Sequence, residues 1–313
     1  MFGKNYVGQL IERSAENPQD RRRFLRAASA AGLGVVGASA VAALTGPAAM
    51  ADEEEAAKPP SDAAILNFAL NLEYLEAEFY SNAVHGHGLA EHLTHGSGRR
   101  GRVKGGARVP FTSKRVHQIA YEIAKDELDH VKFLRSALGK SAVSRPNINI
   151  KESFTAAAHA AGLIKSGQTF DVYANEDNFL LGAFIFEDVG VTAYKGAAPL
   201  ISNKTYLSAA AGILAVEAYH AATVRTELLD RGLGAASDAI SKARDSLDGP
   251  GNDDQGVIRH GRANIVPTDS NGLVYGRSTG HVLNIVYLTP KKATSGGFFP
   301  HGVNGSINTS SSS

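Results

Sequence analysis

The 313-residue chain contains no cysteine. Disulfides, thiolate metal sites and thiol nucleophiles are therefore excluded, and its chemistry is confined to carboxylate, imidazole, hydroxyl and amine groups. An excess of charge of one sign is lacking too: 32 Lys and Arg stand against 31 Asp and Glu, a formal net charge of +1. No basic tract occurs outside the N-terminal segment beyond ordinary surface charge, so the electrostatic footprint of a nucleic-acid binder is missing. What is present, 43% hydrophobic and 20% charged residues, is the composition of a folded globular protein with one substantial core. Any bound metal must be held by Glu, Asp and His.

The first fifty residues read as an address. A basic cluster (Arg21, Arg22, Arg23, Arg26) precedes an uncharged Ala/Gly/Val run that closes on Ala49-Met50-Ala51, which is the layout of a signal peptide with a small-residue cleavage site. Arg21 and Arg22, then Arg23, Phe24 and Leu25, resemble the twin-arginine export motif, with Asp20 where Ser or Thr is usual. That resemblance implies export of a folded protein by the twin-arginine machinery, to the periplasm or cell envelope. An uncleaved membrane anchor is the other reading of the run, which spans about 25 residues. Removing residues 1–51 with their six Lys/Arg and three Asp/Glu leaves 26 positive and 28 negative side chains, a formal charge of −2.

Residues 52–60 read as an acidic linker ending in Pro59-Pro60. From Ser61, Ile65, Phe68, Ala69, Leu72, Leu75 and Phe79 recur at helical spacing. Residues 85–112 are glycine-rich and aperiodic, a long loop. A second helix is expected over about 113–138, stopped by Gly139, then a connection with a short helix at 151–164, a third helix over 175–198, and a fourth after Ser202 to about Arg231. Four long helices with one long crossover between the second and third predict an all-α, ferritin-like four-helix bundle over 61–231. Residues 232–313 are richer in Gly, Asn, Asp and Ser and include β-like runs such as "HVLNIVYLT", so an irregular or β-rich extension is expected there.

The bundle carries an internal repeat. Helices one and three each place one glutamate in an apolar stretch, Glu73 and Glu187, with a tyrosine seven residues on, Tyr80 and Tyr194. Helices two and four each carry Glu-x-x-His, Glu127 with His130 and Glu217 with His220, followed by Arg135 and Arg225. On a helix, i and i+3 project in nearly the same direction, so each pair offers a carboxylate and an imidazole to one point in the core. Four carboxylates and two imidazoles suit two divalent iron or manganese ions. Chance alone gives roughly 0.6 Glu-x-x-His pairs in a chain with this many Glu and His, so the joint placement on alternate helices carries the reading, not the motif itself. Glu76, one turn after Glu73, could replace or supplement it. Tyr80 and Tyr194 are the candidate catalytic side chains, with plain core packing as the alternative. A metal-free core or solvated faces would also accommodate the same residues.

These features resemble the ferritin-like dimetal-carboxylate superfamily over residues 62 to about 230. The export signal, "LNFALNLEYLEAEFY", "DELDHVKFLRSALG" and the tail "NIVPTDSNG...GGFFPHGVNG" resemble its desiccation-related branch. The superfamily resemblance implies a dinuclear iron or manganese centre that reacts with dioxygen or peroxide, or oxidises ferrous iron, as in ferritins, rubrerythrins and manganese catalases; the branch implies stress protection. Without cysteine there is no rubredoxin-like iron site, which counts against a rubrerythrin electron pathway. The expected function is thus exported redox protection by a dimetal oxidoreductase, with a non-catalytic stress protein, its metals serving only to fix the bundle, as the alternative. A homo-oligomer stays open. The loop histidines His85, His87, His92 and His95 read either as a solvated segment or as an accessory metal site.

Overall fold

The chain order in this computed structural model is α1 (Asp62–His85), β1 (Val103–Gly105), α2 (Lys114–Leu138), β2 (Ile148–Ile150), α3 (Glu152–Ala160), α4 (Glu176–Ala197), α5 (Lys204–Asp230), α6 (Gly234–Asp245), β3 (Ile258–Arg259), β4 (Arg262–Ala263) and α7 (Thr279–Tyr287). Residues 59–249, 251 and 253–312 are described. The expected export signal and residues 52–58 of the linker lie outside them.

Each long helix starts where a Ser or Asn side chain accepts a hydrogen bond from an N–H of the first turn. Ser61 accepts from Ala64, Ser113 from Val116, Asn175 from Asn178, and Asn203 from Thr205 and Tyr206. α1 stops at Gly86, whose φ of 78° admits the left-handed turn. α1 packs along α2, and α4 along α5. α2 and α5 bury single stripes, for example Ala120, Ile123, Glu127, His130 and Leu134. α1 and α4 are buried nearly all round, because the crossover and the C-terminal segment cover their outer faces. Phe154 of α3 and Phe298 of the tail both close on Phe186, at ring-centroid distances of 5.4 and 5.0 Å.

The glycine-rich loop is anchored at β1, which pairs in parallel with β2 of the crossover in the register Val103↔Ile148. Among the described residues the C-terminal extension is irregular, with one short hairpin and two helices. The hairpin β3–β4 turns on His260 and Gly261, both at positive φ (51° and 72°), as a two-residue type I′ turn requires. One expectation fails here: "HVLNIVYLT" is helical from His281 to Tyr287 within α7. Ser278 caps that helix through His281 N–H, and the run from Val282 to Tyr287 is buried on every side. Periodicity cannot separate a strand from a helix that has no polar face.

Candidate metal centre

The helix pairs bring Glu-x-x-His of α2 opposite Glu-x-x-His of α5. Glu127 lies between the two histidines: its Oε2 is 3.4 Å from His130 Nδ1 and its Oε1 is 3.2 Å from His220 Nδ1. Reciprocally, Glu217 Oε1 is 3.7 Å from His130 Nδ1. The pairing of 127 with 220 and of 130 with 217 means that α2 and α5 run antiparallel through the site. Glu73 Oε2 reaches His130 Nδ1 at 3.2 Å, and Glu187 Oε2 reaches His220 Nδ1 at 3.4 Å.

Two sets of ligand-type atoms converge, each within 4.8 Å: Glu73, Glu127, His130 and Glu217 in one, and Glu127, Glu187 and His220 in the other. Glu127 belongs to both. All six side chains are buried, yet both oxygens of Glu127, both of Glu217, Oε2 of Glu187 and Nδ1 of His220 make no well-formed hydrogen bond. Buried polar atoms are ordinarily satisfied, because leaving one unpaired costs about 1–3 kcal/mol. Six such atoms facing one volume fit a pair of divalent cations bound by oxygen and imidazole donors. Gly190 of α4 leaves room for one of them, since a Cβ there would stand 2.2 Å from Glu217 Oε2.

The electrostatics follow from confinement. Burial, then repulsion from Glu127, Glu76, Glu187 and Glu73, pushes the Glu217 carboxyl well above its ordinary range. Burial also raises Glu73, to about 7, with His130 pulling the other way. For Glu127 burial acts upward too, but contact with His130 and His220 outweighs it and holds the carboxyl low. Burial opposes charge on the histidines, whereas Glu73 and Glu127 at His130, and Glu187 and Glu127 at His220, raise both to about 11.

Tyr80 and Tyr194 lie at the centre, each on the glutamate of the opposite helix. The Tyr80 hydroxyl donates to Glu187 Oε1, and the Tyr194 hydroxyl to Glu73 Oε1. The seven-residue spacing within each helix and the antiparallel crossing of α1 and α4 together produce this exchange. Each lone glutamate thus has one oxygen tied down and the other facing the cluster. Burial first, and then the glutamate it touches, pushes each phenol well above its ordinary value, so both stay protonated donors. Glu76 is buried nearby but belongs to neither converging set; it lines a small apolar crevice with Leu75, Phe186, Val189, Gly190 and Phe298. Burial and then Glu127, Glu73 and Glu187 push its carboxyl well up.

Other residues went unnoticed in the sequence. Asp126 Oδ2 lies 3.3 Å from His220 Nε2, and its only signal was adjacency to Glu127. The repeated arginines reach equivalent positions: Arg135 Nη1 donates to Tyr74 and Arg225 Nη1 to Asp188, each the residue following a lone glutamate. Arg225 is fully buried and also donates to the carbonyls of Gln255, Gly256 and Asn264. The loop histidines form no converging set of three among the described residues; His85 and His87 stack with ring centroids 5.7 Å apart, and His95 faces exposed Glu91 at 3.8 Å.

Comparison with known proteins agrees with this geometry. Residues 61–230 match the family described as ferritin-like domain. The chain is 30% identical over 264 residues to desiccation-related protein PCC13-62 of Craterostigma plantagineum, covering 77% of this chain and 82% of that one. It is 28% identical over 269 residues to ferritin-like catalase Nec2 of Nesocodon mauritianus, covering 79% and 85%. No solved structure matches. The chain belongs to the ferritin-like family.

Proposed function

We propose that this ferritin-like protein holds two divalent iron or manganese ions in its bundle and uses them in redox chemistry on peroxide or dioxygen, as an exported stress-protection protein. The observation that carries the reading is the pair of converging ligand sets sharing Glu127, with six buried donor atoms that lack a well-formed hydrogen bond. Glu73, Glu127, His130 and Glu217 would hold one ion, and Glu127, Glu187 and His220 the other. When bound, such ions supply the electrons exchanged with the oxidant.

The protein's own part is positioning and proton control. Tyr80 and Tyr194 fix the carboxylate planes of Glu187 and Glu73. Burial of the whole set excludes bulk water and strengthens each electrostatic contact. Peroxide is the oxidant we favour. Disproportionation of two peroxides to dioxygen and two waters balances without an outside electron donor, which suits a chain with no cysteine to build an electron-transfer iron site. The names of the two relatives, one a catalase and one desiccation-related, point the same way. Export rests on the Arg21-Arg22 segment; cell fractionation of wild type against a doubly substituted Arg21→Lys, Arg22→Lys chain tests it.

Purified protein is expected to contain two ions per chain by elemental analysis and to evolve dioxygen from peroxide, and Glu127→Gln to lose both properties while keeping its helical content. Two bound ions with no turnover of peroxide and no oxidation of ferrous iron would leave a non-catalytic role.

A further inference from the structure

The repeat that builds the cluster is broken at one place. Asp126 precedes Glu127 on α2 and meets the outer nitrogen of His220, Nε2, at 3.3 Å. The equivalent position, immediately before Glu217 on α5, is Val216, and His130 Nε2 has no protein partner among the described residues. The break coincides with an opening: a groove of about 230 Å³ between α2 and α5 is lined by Glu122, Asp126, Val216, Tyr219, His220 and Thr223. Glu122 and Tyr219 are exposed, the Asp126 side chain is 30% exposed, and His220 is buried at the inner end. Both acids in the groove carry the sign that attracts a cation. Lys125, 3.5 Å from Asp126 Oδ1, offsets part of that charge but is shared with Asp129 at 2.9 Å.

We propose that the α2–α5 groove is the way in for divalent cations, and that Asp126 at its floor is a positioning residue for the His220 side alone, so that the two metal positions are inequivalent. The physical reason is ring orientation. A carboxylate held on Nε2 at 3.3 Å fixes the imidazole so that Nδ1 faces Glu127 and Glu187, at 3.2 and 3.4 Å. His130 lacks a protein partner at its outer nitrogen among the described residues, so its ring is less restrained when the ion arrives. The inference rests on the dimetal reading above and adds an asymmetry that the ligand set by itself does not contain.

The test is titration of chelator-treated full-length protein with Mn²⁺, following the free-ion EPR signal, together with stopped-flow uptake. Wild type is expected to bind two ions. Asp126→Asn should weaken one of them by about 10–100-fold, the usual effect of removing such an outer partner, and leave the other within about 2-fold. Asp126→Glu should recover part of the loss, which a merely structural role would not predict. Glu122→Lys, at an exposed helix position, should slow uptake several-fold at low salt and not at high salt, with the final two ions unchanged. Equal weakening of both ions in Asp126→Asn, or no weakening, overturns the positioning role; unchanged uptake in Glu122→Lys overturns the route. Wild type that takes up neither Mn²⁺ nor Fe²⁺ removes the dimetal reading itself, and this inference with it.

Discussion

A methyl group added at Gly190 would stand 2.2 Å from Glu217 Oε2, so Gly190→Ala sets two effects against each other. Ala favours a helix interior over Gly by about 1 kcal/mol, but the glutamate must swing away from the cluster to admit it. The expected outcome is metal-free protein whose stability changes by no more than about 1 kcal/mol in either direction, yet which binds fewer than two ions by elemental analysis; wild-type stoichiometry would show that Glu217 is not needed where it stands. The histidines make a second residue-scale prediction. Both sit near 11, above the ordinary 6.5, so their pairing with Glu127, the carboxyl held low between them, stabilises metal-free protein at pH 6.5 and is lost as pH rises toward 11. Cation binding runs the other way, because Nδ1 must give up its proton. Melting temperature of metal-free protein should fall from pH 6.5 upward while cation affinity rises. Calorimetry in buffers of different ionisation enthalpy should report at least two protons released per chain at pH 7; binding with no buffer dependence would contradict the charged histidines.

Among elements, α1 and α4 are joined across the site by two hydrogen bonds of one kind, Tyr80 to Glu187 and Tyr194 to Glu73. Hydrogen bonds to charged groups contribute about 1.5–3 kcal/mol each. Tyr80→Phe and Tyr194→Phe should each lower the unfolding free energy by about that amount in urea titrations of metal-free protein, and the double variant should depart from additivity because both glutamates face the same cluster. Near-zero change in both single variants would mean that the helices are held by packing alone. The helices themselves were legible: the apolar spacing from Ser61 onward and Gly139 at the end of the second helix are local signals. So was the convergence of Glu127, His130, Glu217 and His220, which needs only helical spacing and a bundle. The exchange of tyrosines was not, because it depends on the antiparallel crossing of α1 and α4, and crossing is a tertiary property. Asp126 escaped for the same reason, its partner being ninety-four residues away. α7 misled because burial on all sides erases the amphipathic pattern on which a helix assignment depends.

Across the whole molecule, the C-terminal extension is tied to the bundle through buried charge. Arg225, Arg244 and Arg277 interleave with Asp188, Asp254 and Asp248: Arg244 Nη2 lies 2.7 Å from Asp254 and 3.0 Å from Asp188, and Arg277 Nε lies 2.6 Å from Asp248 and its Nη2 also bonds Asp254. The three arginines supply the positive charge that faces Asp188, Asp248 and Asp254, and Asp245 stands beside the last two as a fourth acid. Asp254 is pushed up by burial to about 6, with Arg244 and Arg277 pulling it down. Arg277 also donates from Nη1 to Thr192 Oγ1 at 2.8 Å and from its backbone N–H to the Thr192 carbonyl at 2.9 Å. Thr192 lies between Glu187 and Tyr194 on α4, so the extension grips the helix turn that carries part of the candidate centre. Removing one partner of a buried ion pair costs about 3–5 kcal/mol, since the charge left behind is unpaired. Arg277→Ala should therefore lower the unfolding free energy by about that much, and Arg277→Lys should recover only part of it, because an ammonium cannot match the forked contacts to Asp248 and Asp254. Because the lost grip falls on α4, the Arg277→Ala variant should also bind its ions more weakly under conditions where it remains folded, as read by Mn²⁺ titration. Unaltered ion affinity together with lowered stability would mean that the extension supports the bundle without reaching the centre.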